Sequence, residues 1–445
     1  MITFVTEQNL DEILEKLSEM TLWVPILADQ SDHYTYNNVS CIYVFDVYTE
    51  DEYVFGFSNV DTDNLVYLDF LSKIPDGRKF CYNSRYLSTY HDDFQDADLL
   101  IWYHTGNRIE IDQAYLGIFG IYGRMYPNIR NVNDVIPIMR IIEYCRAVTD
   151  QFIKLGNDYI IDEENGYIYY DEVVFKTLIN IERSGFRVDQ DKYFDRYGRR
   201  TPKITRTEYN PYTLTGRPSS KFGGVNFNSL SKSDGSREMI ISQFDNGRLF
   251  EFDYDSYHPR LIGKLIGYEL PETSVHRYFA KSYFGTSEIS QEQYEKSKII
   301  TFKQLYGNIS PEYAHIEFFQ KISEFMNMMW DEYLEVGYFT SPLSGRKFKS
   351  EWYTDMNKAK MFNYIIQCYE TEVNMMVLEK IIQYLYSKRS KLVMYTYDSI
   401  LVDYDPEDGI EVIQEVKRMM SLFGCPVHTK VGVNYNDMVD VSIDN

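Results

Sequence analysis

Apolar and polar positions alternate over short runs near the start of the chain. CIYVFDVY from Cys41, EYVFGFSN from Glu52 and LVYLDFL from Leu65 read as strands with polar turns between them. ADLLIW, from Ala97, is a continuous apolar run and is expected to be a further buried strand. The period then changes. Apolar side chains at Val135, Ile136, Ile138, Met139, Ile142 and Tyr144 predict a helix over 134–155. Strands followed by a helix imply an α/β domain over residues 1–155. Residues 157–170 hold a turn at Glu164-Asn165-Gly166 and read as a linker or hairpin. DEVVFKTLINIER (171–183) predicts an amphipathic helix that Gly185 ends.

The second half repeats the mixture. LFEFDYD, from Leu249, predicts a strand, and helices follow over 260–268, 273–284, 290–307, 311–336 and 358–387. LVMYTYDS and ILVDYD predict a closing strand pair, with a last helix near 407–423. Mixed α/β is the fold class, in three segments: 1–155, 156–245 and 246–445.

Composition changes this picture in two places. The 445 residues are 44% hydrophobic, enough to bury sizeable cores, and carry a net charge of −22. That charge argues against a nucleic-acid partner, since phosphate contacts need cations. Local charge decides, however. Between Arg196 and Arg237 nine basic residues face only Glu208 and Asp234, in a stretch rich in Gly, Ser, Thr, Pro and Asn. A flexible basic stretch in an acidic protein is a phosphate-binding candidate; a solvated loop with incidental charge is the equal alternative. Cys41, Cys81, Cys145, Cys368 and Cys425 form no CxxC pair, so neither a disulfide framework nor a cysteine zinc site is expected. The start of the chain, MITFVTEQNLDEILEKL, is acidic and amphipathic and does not read as a signal peptide. No apolar run is long enough for a membrane span. A soluble protein of the cytoplasm, with no membrane partner, is the expectation.

Two aspartates carry the candidate chemistry. Asp253 and Asp398 each stand at the end of an apolar strand. A carboxylate there is costly unless it is paired or binds a metal. Two such strands side by side would form one site for two Mg²⁺ ions, activating a hydroxyl nucleophile and stabilising a leaving pyrophosphate. Asp255, Asp403 and Asp405 are alternative ligands, and solvent-facing strand ends are the plain alternative. In EKSKIITFKQLYGNIS, Lys298, Phe302 and Tyr306 recur every fourth residue and share a helix face. A cation followed by two rings suits a nucleoside triphosphate. Alone, such a stripe is more often an amphipathic core helix with a snorkelling lysine.

Order and spacing extend these signals from Ile181 to Asp403. IERSGFRVD (181–189), TLTGRPSS (213–220), GVNFNSL (224–230), FEFDYD (250–255), SVHRYFAKSYFG (274–285), K-x3-F-x3-YG (298–307), SPLSGRKF (341–348) and YTYDSILV (395–402) occur in that sequence. In this respect the chain resembles the A-family DNA polymerases, Pol I-like and of phage type. The resemblance implies a right-hand palm and fingers in 246–445, with the fingers at about 265–340. It implies Asp253 and Asp398 as catalytic metal ligands for Mg²⁺, with Mn²⁺ as a substitute, and Lys298 as a cation and general acid. His276, Lys298, Phe302, Tyr306, His258 and Tyr254 would contact a dNTP. Arg217, Asn226, Asn228, Asn363, Gln367 and Tyr397 would contact primer-template DNA.

Three departures from the family pattern stand out. His258 replaces a glutamate that screens the sugar. Tyr294 replaces an arginine, with Lys296 as a candidate substitute. Ser399 follows the second aspartate where the family has glutamate. Only 28 residues separate Asp189 from Arg217, so a reduced thumb is expected within 156–245. Weak DNA binding and reliance on a processivity factor or other replication protein follow. The resemblance places an RNase H-like, exonuclease-type α/β domain at 1–155. Its carboxylates are depleted: Asp46 is present but Tyr48 stands where the pattern has glutamate, and Asp112 loosely matches a second motif, with Asp134 or Asp150 as poor complements. An inactive or feeble remnant is expected. The implied function is primer extension with dNTPs in DNA replication. A single-subunit RNA polymerase and a non-catalytic, polymerase-derived DNA-binding subunit are the alternatives.

Overall fold

The structure is a computed structural model. It describes residues 2–6, 8–27, 33–36, 39–56, 70–88, 93–109, 135–156, 159, 165–220 and 225–443. Asp112, Asp134 and the LVYLD run (65–69) lie outside them. The chain divides into two compact units, Met1–Asp171 and Glu172–Asn445, so the first unit ends later than the expected boundary at 155.

The first unit is a mixed sheet with helices. Its strands are β1 (Ile2–Val5), β2 (Met20–Leu27), β3 (Val39–Asp46), β4 (Glu52–Gly56), β5 (Arg78–Cys81) and β6 (Phe94–Asp96), in the order β1-β4-β3-β2-β5-β6. β2, β3 and β4 pair antiparallel; β1, β5 and β6 join them parallel. Trp23, Val44, Phe55 and Phe94 meet in its core. The helices are α1 (Leu10–Lys16), α2 (Arg85–Ser88), α3 (Ala97–Thr105) and α4 (Val135–Gly156).

ADLLIW lies in α3, which corrects the expected strand. Its caps explain why. The Asp96 carboxylate accepts from the Leu99 amide at 2.8 Å, and Gly106 closes the helix at φ 73°. Leu99 to Tyr103 are all buried, so the run shows no amphipathic period.

Helix α5 (Asn165–Tyr169), a π-helical turn at Tyr170–Phe175 and α6 (Lys176–Ser184) follow, and Gly185 ends α6 at φ 59°. The second unit is built on a five-stranded antiparallel sheet. Its strands are β10 (Arg248–Tyr254), β13 (Lys391–Thr396), β14 (Ser399–Tyr404), β15 (Val427–Gly432) and β16 (Met438–Asp440), ordered β13-β14-β10-β15-β16. One face of β10 sets Leu249 against Phe186, Val393 and Leu401.

Before this sheet lie β7 (Phe186–Val188), α7 (Gln190–Tyr197), β8 (Ile204–Thr205) and β9 (Ile240–Ile241), the three strands forming a small sheet. Between Asp189 and Arg217, α7 is the one helix among the described residues, and it has eight residues. After β10 come α8 (Tyr257–Leu265), α9 (Val275–Phe284), α10 (Gln291–Tyr306) and α11 (Glu317–Val336). The hairpin β11 (Tyr338–Thr340)–β12 (Lys347–Lys349) and α12 (Lys358–Leu385) follow, and α13 (Glu411–Met420) lies between β14 and β15.

Helices α9 to α12 share a second core around Phe279, Phe318, Phe319 and Phe362. Glu372 of α12 ties the hairpin down: its buried carboxylate accepts from the Ser341 and Ser344 hydroxyls. Among the described residues, no helix is long and apolar enough to cross a membrane.

Candidate active site

The two aspartates meet because β10 and β14 are neighbours. Asp253 pairs in register with Ser399, the residue after Asp398, and the Tyr254 amide donates to the Asp398 carbonyl at 3.0 Å. Asp398 therefore sits in the tight β13–β14 turn beside the end of β10. Tyr397 makes that turn in the left-handed region, at φ 66°, a conformation a bulky residue adopts only when its surroundings hold it. Asn374 of α12 provides the hold, donating to the Tyr397 carbonyl at 2.7 Å and the Tyr395 hydroxyl at 3.0 Å.

Burial and like charge at the pair outweigh the cations nearby. Burial first, then Asp398 and Glu251, push Asp253 up to about 7. Burial and then Glu370 also raise Asp398. Neither carboxylate has an ion-pair partner among the described residues. Asp253 is half-buried and Asp398 is exposed at the turn, and two carboxylates whose ionised forms are disfavoured in this way fit a hard divalent cation such as Mg²⁺. Among the described residues, no group of three His, Cys, Asp or Glu side chains is placed to hold a metal alone.

The alternative ligands have structural partners. Asp403 accepts from the Ser242 hydroxyl at 2.5 Å and the Gln243 amide at 2.9 Å. Asp405 pairs with Arg389 at 2.5 Å. Asp255 lies 3.4 Å from Arg260.

Helix α10 opens with a capping box at Ser290 and Gln293 and ends at Gly307. Phe302 and Tyr306 stack at 6.0 Å with their rings nearly parallel, 39% and 37% exposed, and form an open aromatic face. Lys298 lies 4.4 Å from the Tyr294 ring centroid. Buried His276 packs at 5.6 Å on Phe302, and burial and Lys298 hold its pKa below the usual histidine value. Lys298, His276, Phe302 and Tyr306 are thus one surface.

Lys296 is not part of it. It faces away and pairs with Glu292 at 2.7 Å. The second cation is Arg277 of α9, whose guanidinium lies 5.1 Å over the other partner of Lys298, the Tyr294 ring. Lys296 lies two residues before Lys298, about 200° around the helix, which puts it off that face. Tyr254 also departs from its expected place. It is buried, stacked at 4.2 Å on Tyr257, on the side of β10 opposite Asp253.

The TLTGRPSS loop is anchored on three sides. Tyr209 donates to the Tyr395 carbonyl at 2.9 Å, buried Arg346 donates to the Leu214 carbonyl at 3.5 Å, and Thr215 donates to Gln367 at 3.1 Å. Gly216 turns at φ 74° and presents Arg217. The Arg217 guanidinium lies 3.8 Å over the Tyr397 ring. Asn363 donates to the Tyr306 carbonyl at 3.2 Å. Arg217 is thus brought to the turn that carries Asp398, and Asn363 to the end of α10 at Tyr306. Asn226 accepts from Ser220 at 2.6 Å, and Asn228 donates its amide to the same hydroxyl at 3.1 Å. Both asparagines shape that loop. The Asn228 side-chain atoms, His276 Nδ1 and Asn363 Oδ1 are buried without a hydrogen-bond partner among the described residues, as polar atoms reserved for a ligand would be.

Glu370 is the residue the sequence did not reveal. Its carboxylate, 1% exposed, lies 2.9 Å from Arg217 Nε and 2.9 Å from His258 Nε2. His258 Nδ1 in turn contacts the Tyr306 hydroxyl. A carboxylate in the middle of a long helix has no local signature.

No protein-family model and no curated protein matches the chain. Its fold is that of a polymerase domain: it matches the POL domain of Pol1 from M. smegmatis, solved in complex with DNA primer-template and dNTP. The TM-score is 0.73 at 12% identity, over 98% of this chain and 99% of that one.

Proposed function

We propose that this chain is a template-directed DNA polymerase that extends a primer 3′-hydroxyl with dNTPs in DNA replication. The observation that carries it is the Asp253–Asp398 pair, raised by burial and like charge, beside an open Phe302–Tyr306 face. The likeness in fold to a domain solved with primer-template and dNTP supports it. The five-stranded sheet then serves as palm, α9 to α11 as fingers, and α7 with the short strands around it as a reduced thumb.

Each residue has a task. Asp253 and Asp398 would hold two Mg²⁺ ions, or Mn²⁺, which would supply the charge that activates the primer hydroxyl and steadies the leaving pyrophosphate. Lys298, Arg277 and His276 bind the triphosphate, and Lys298 holds a proton for the departing oxygen. Phe302 and Tyr306 stack under the base. Arg217, Asn363 and Gln367 follow the primer-template through groups common to all correctly paired bases. Positioning and charge account for most of the rate in such transfers.

Unit 1 is proposed to be a nuclease-like scaffold without nuclease activity. Asp46, its best candidate ligand, accepts from the Ser18 amide at 2.7 Å and from the Tyr48 and Thr49 amides at 3.0 Å each. That carboxylate closes the β3–β4 turn. With a net charge of −22 and one short helix for a thumb, the enzyme works with a tethering partner.

Primer extension with dNTPs and, separately, NTPs tests the proposal. Incorporation of dNTPs that Asp398→Ala abolishes supports it. Preferential incorporation of NTPs favours the single-subunit RNA polymerase, and incorporation of neither favours a non-catalytic DNA-binding subunit.

A further inference from the structure

We infer that Glu370 is a specificity-determining positioning residue, whose buried carboxylate sets the sugar-facing wall of the nucleotide site by fixing His258, and through it Tyr306, while holding Arg217. The inference rests on the polymerase reading of the same site.

Burial makes the carboxylate informative. A carboxyl group 1% exposed is costly unless charged or polar groups lie against it. Two do: Arg217 Nε lies 2.9 Å from one oxygen of Glu370 and His258 Nε2 2.9 Å from the other, close contacts outside hydrogen-bond geometry. The other ring nitrogen of His258, Nδ1, contacts the Tyr306 hydroxyl, so the imidazole is held between the carboxyl group and the ring. Asn363 holds the backbone of the same tyrosine, donating to its carbonyl at 3.2 Å. Tyr306 is thus pinned at its hydroxyl by α8 and at its carbonyl by α12.

Position gives this chain of contacts its role. The base stacks on Tyr306, and the phosphates lie toward the Asp253–Asp398 pair. The sugar joins the two, so a group between them lines the sugar. His258 is that group: it contacts Tyr306 and stands in the first turn of α8, directly after the strand that carries Asp253. A 2′-hydroxyl must find room against a histidine that Glu370 prevents from turning. The carboxylate that governs the sugar here is therefore carried by α12 and acts through an imidazole.

Arg217 is the second consequence. It lies over Tyr397, the residue before Asp398. Without Glu370 its charge would be drawn to Asp398. The Glu370 ion pair keeps it turned to the primer side.

The test is steady-state incorporation of dATP and ATP opposite a templating thymine by the full chain and by Glu370→Gln, Glu370→Ala, His258→Ala and His258→Gln. Glutamine at 370 has one oxygen for two donors, so one partner is lost. The expected result for both Glu370 variants is a fall of at least ~10-fold in the dATP-over-ATP preference in kcat/KM, with kcat for dATP changed less than its KM. His258→Ala should match them. His258→Gln, which offers one donor and one acceptor, should keep most of the preference. If burial makes the Glu370 variants fail to fold, the two His258 variants report the same chain of contacts from its other end. An unchanged preference in folded variants overturns this inference alone. A wild-type chain that incorporates neither nucleotide overturns the polymerase reading, and this inference with it.

Discussion

The backbone amide of Tyr254 donates to the carbonyl of Asp398 at 3.0 Å, and this contact sets the end of β10 against the β13–β14 turn. It joins two carboxylates that lie far apart in the chain. Burial and mutual repulsion then make their ionised pair unstable, and that instability is what a divalent cation relieves.

Asp253→Asn should therefore have opposite effects on activity and stability. In chelator, Asp253 is raised to about 7 from the ordinary 3.8, so the folded state holds the extra proton between those pH values. Its contribution to stability is fully present below about pH 4 and is lost as pH rises through 7. Thermal unfolding in chelator at pH 8 should show the asparagine variant more stable by on the order of 1–3 kcal/mol, with the gain gone by pH 4. Its extension rate with Mg²⁺ should fall by at least ~10³-fold. Equal stability at pH 8 contradicts the raised pKa.

Asp46 should behave in the reverse sense. Burial alone would raise it, but the Ser18, Thr49 and Tyr48 amides and the Ser18 hydroxyl outweigh burial and hold it below the usual value. Its stabilisation is present above the unfolded pKa and lost as pH falls through the folded one. Asp46→Ala should cost about 1–3 kcal/mol at pH 7 and little near pH 2. Trimming of labelled single-stranded DNA, absent from the wild type, should stay absent. Robust wild-type trimming abolished by this variant would show that unit 1 is an active nuclease.

Arg277 and Lys296 separate by their contacts. Arg277→Ala should raise the KM for dNTPs roughly tenfold with a smaller change in kcat, the loss of one charge-assisted contact. Lys296→Ala should leave both constants unchanged, since its partner is the exposed Glu292. Steady-state titration of dNTP decides; the opposite ranking would return Lys296 to the site.

DNA retention should depend on a few exposed cations. Arg199, Arg200 and Lys203 are exposed beside α7, whereas Arg196 pairs with Asp234 at 2.7 Å and Arg237 donates to the Leu230 carbonyl at 3.0 Å. Arg199→Ala with Arg200→Ala should weaken primer-template binding on all sequences and reduce the salt slope by about 1 per lost phosphate contact. With a competitor trap, the wild type alone should make only short products. Long products from one encounter would remove the need for a tethering partner.

Much of the second unit was legible in the sequence, because its signals are local. Gln291–Tyr306 carries its chemistry at a fixed helical spacing, and Asp253 and Asp398 sit at the ends of apolar strands. Other features depended on tertiary context. ADLLIW is apolar on every side, so its period cannot separate a buried helix from a strand; the Asp96 cap decides. Lys296 looked suitable by proximity in sequence, yet Arg277 reaches Tyr294 from another helix. Glu370 and Asn374 act across the fold on Arg217, His258 and Tyr397, and no spacing along α12 announces those partners.

Single-nucleotide addition is the most direct measurement of the central claim. Purified chain, a primer-template with one unpaired templating base, Mg²⁺ and the complementary dNTP should give a primer longer by one residue and an equal amount of pyrophosphate. Asp398→Ala, folded to the same extent, should give neither. A folded wild-type chain that binds the primer-template yet adds no nucleotide with Mg²⁺ or Mn²⁺ contradicts the account.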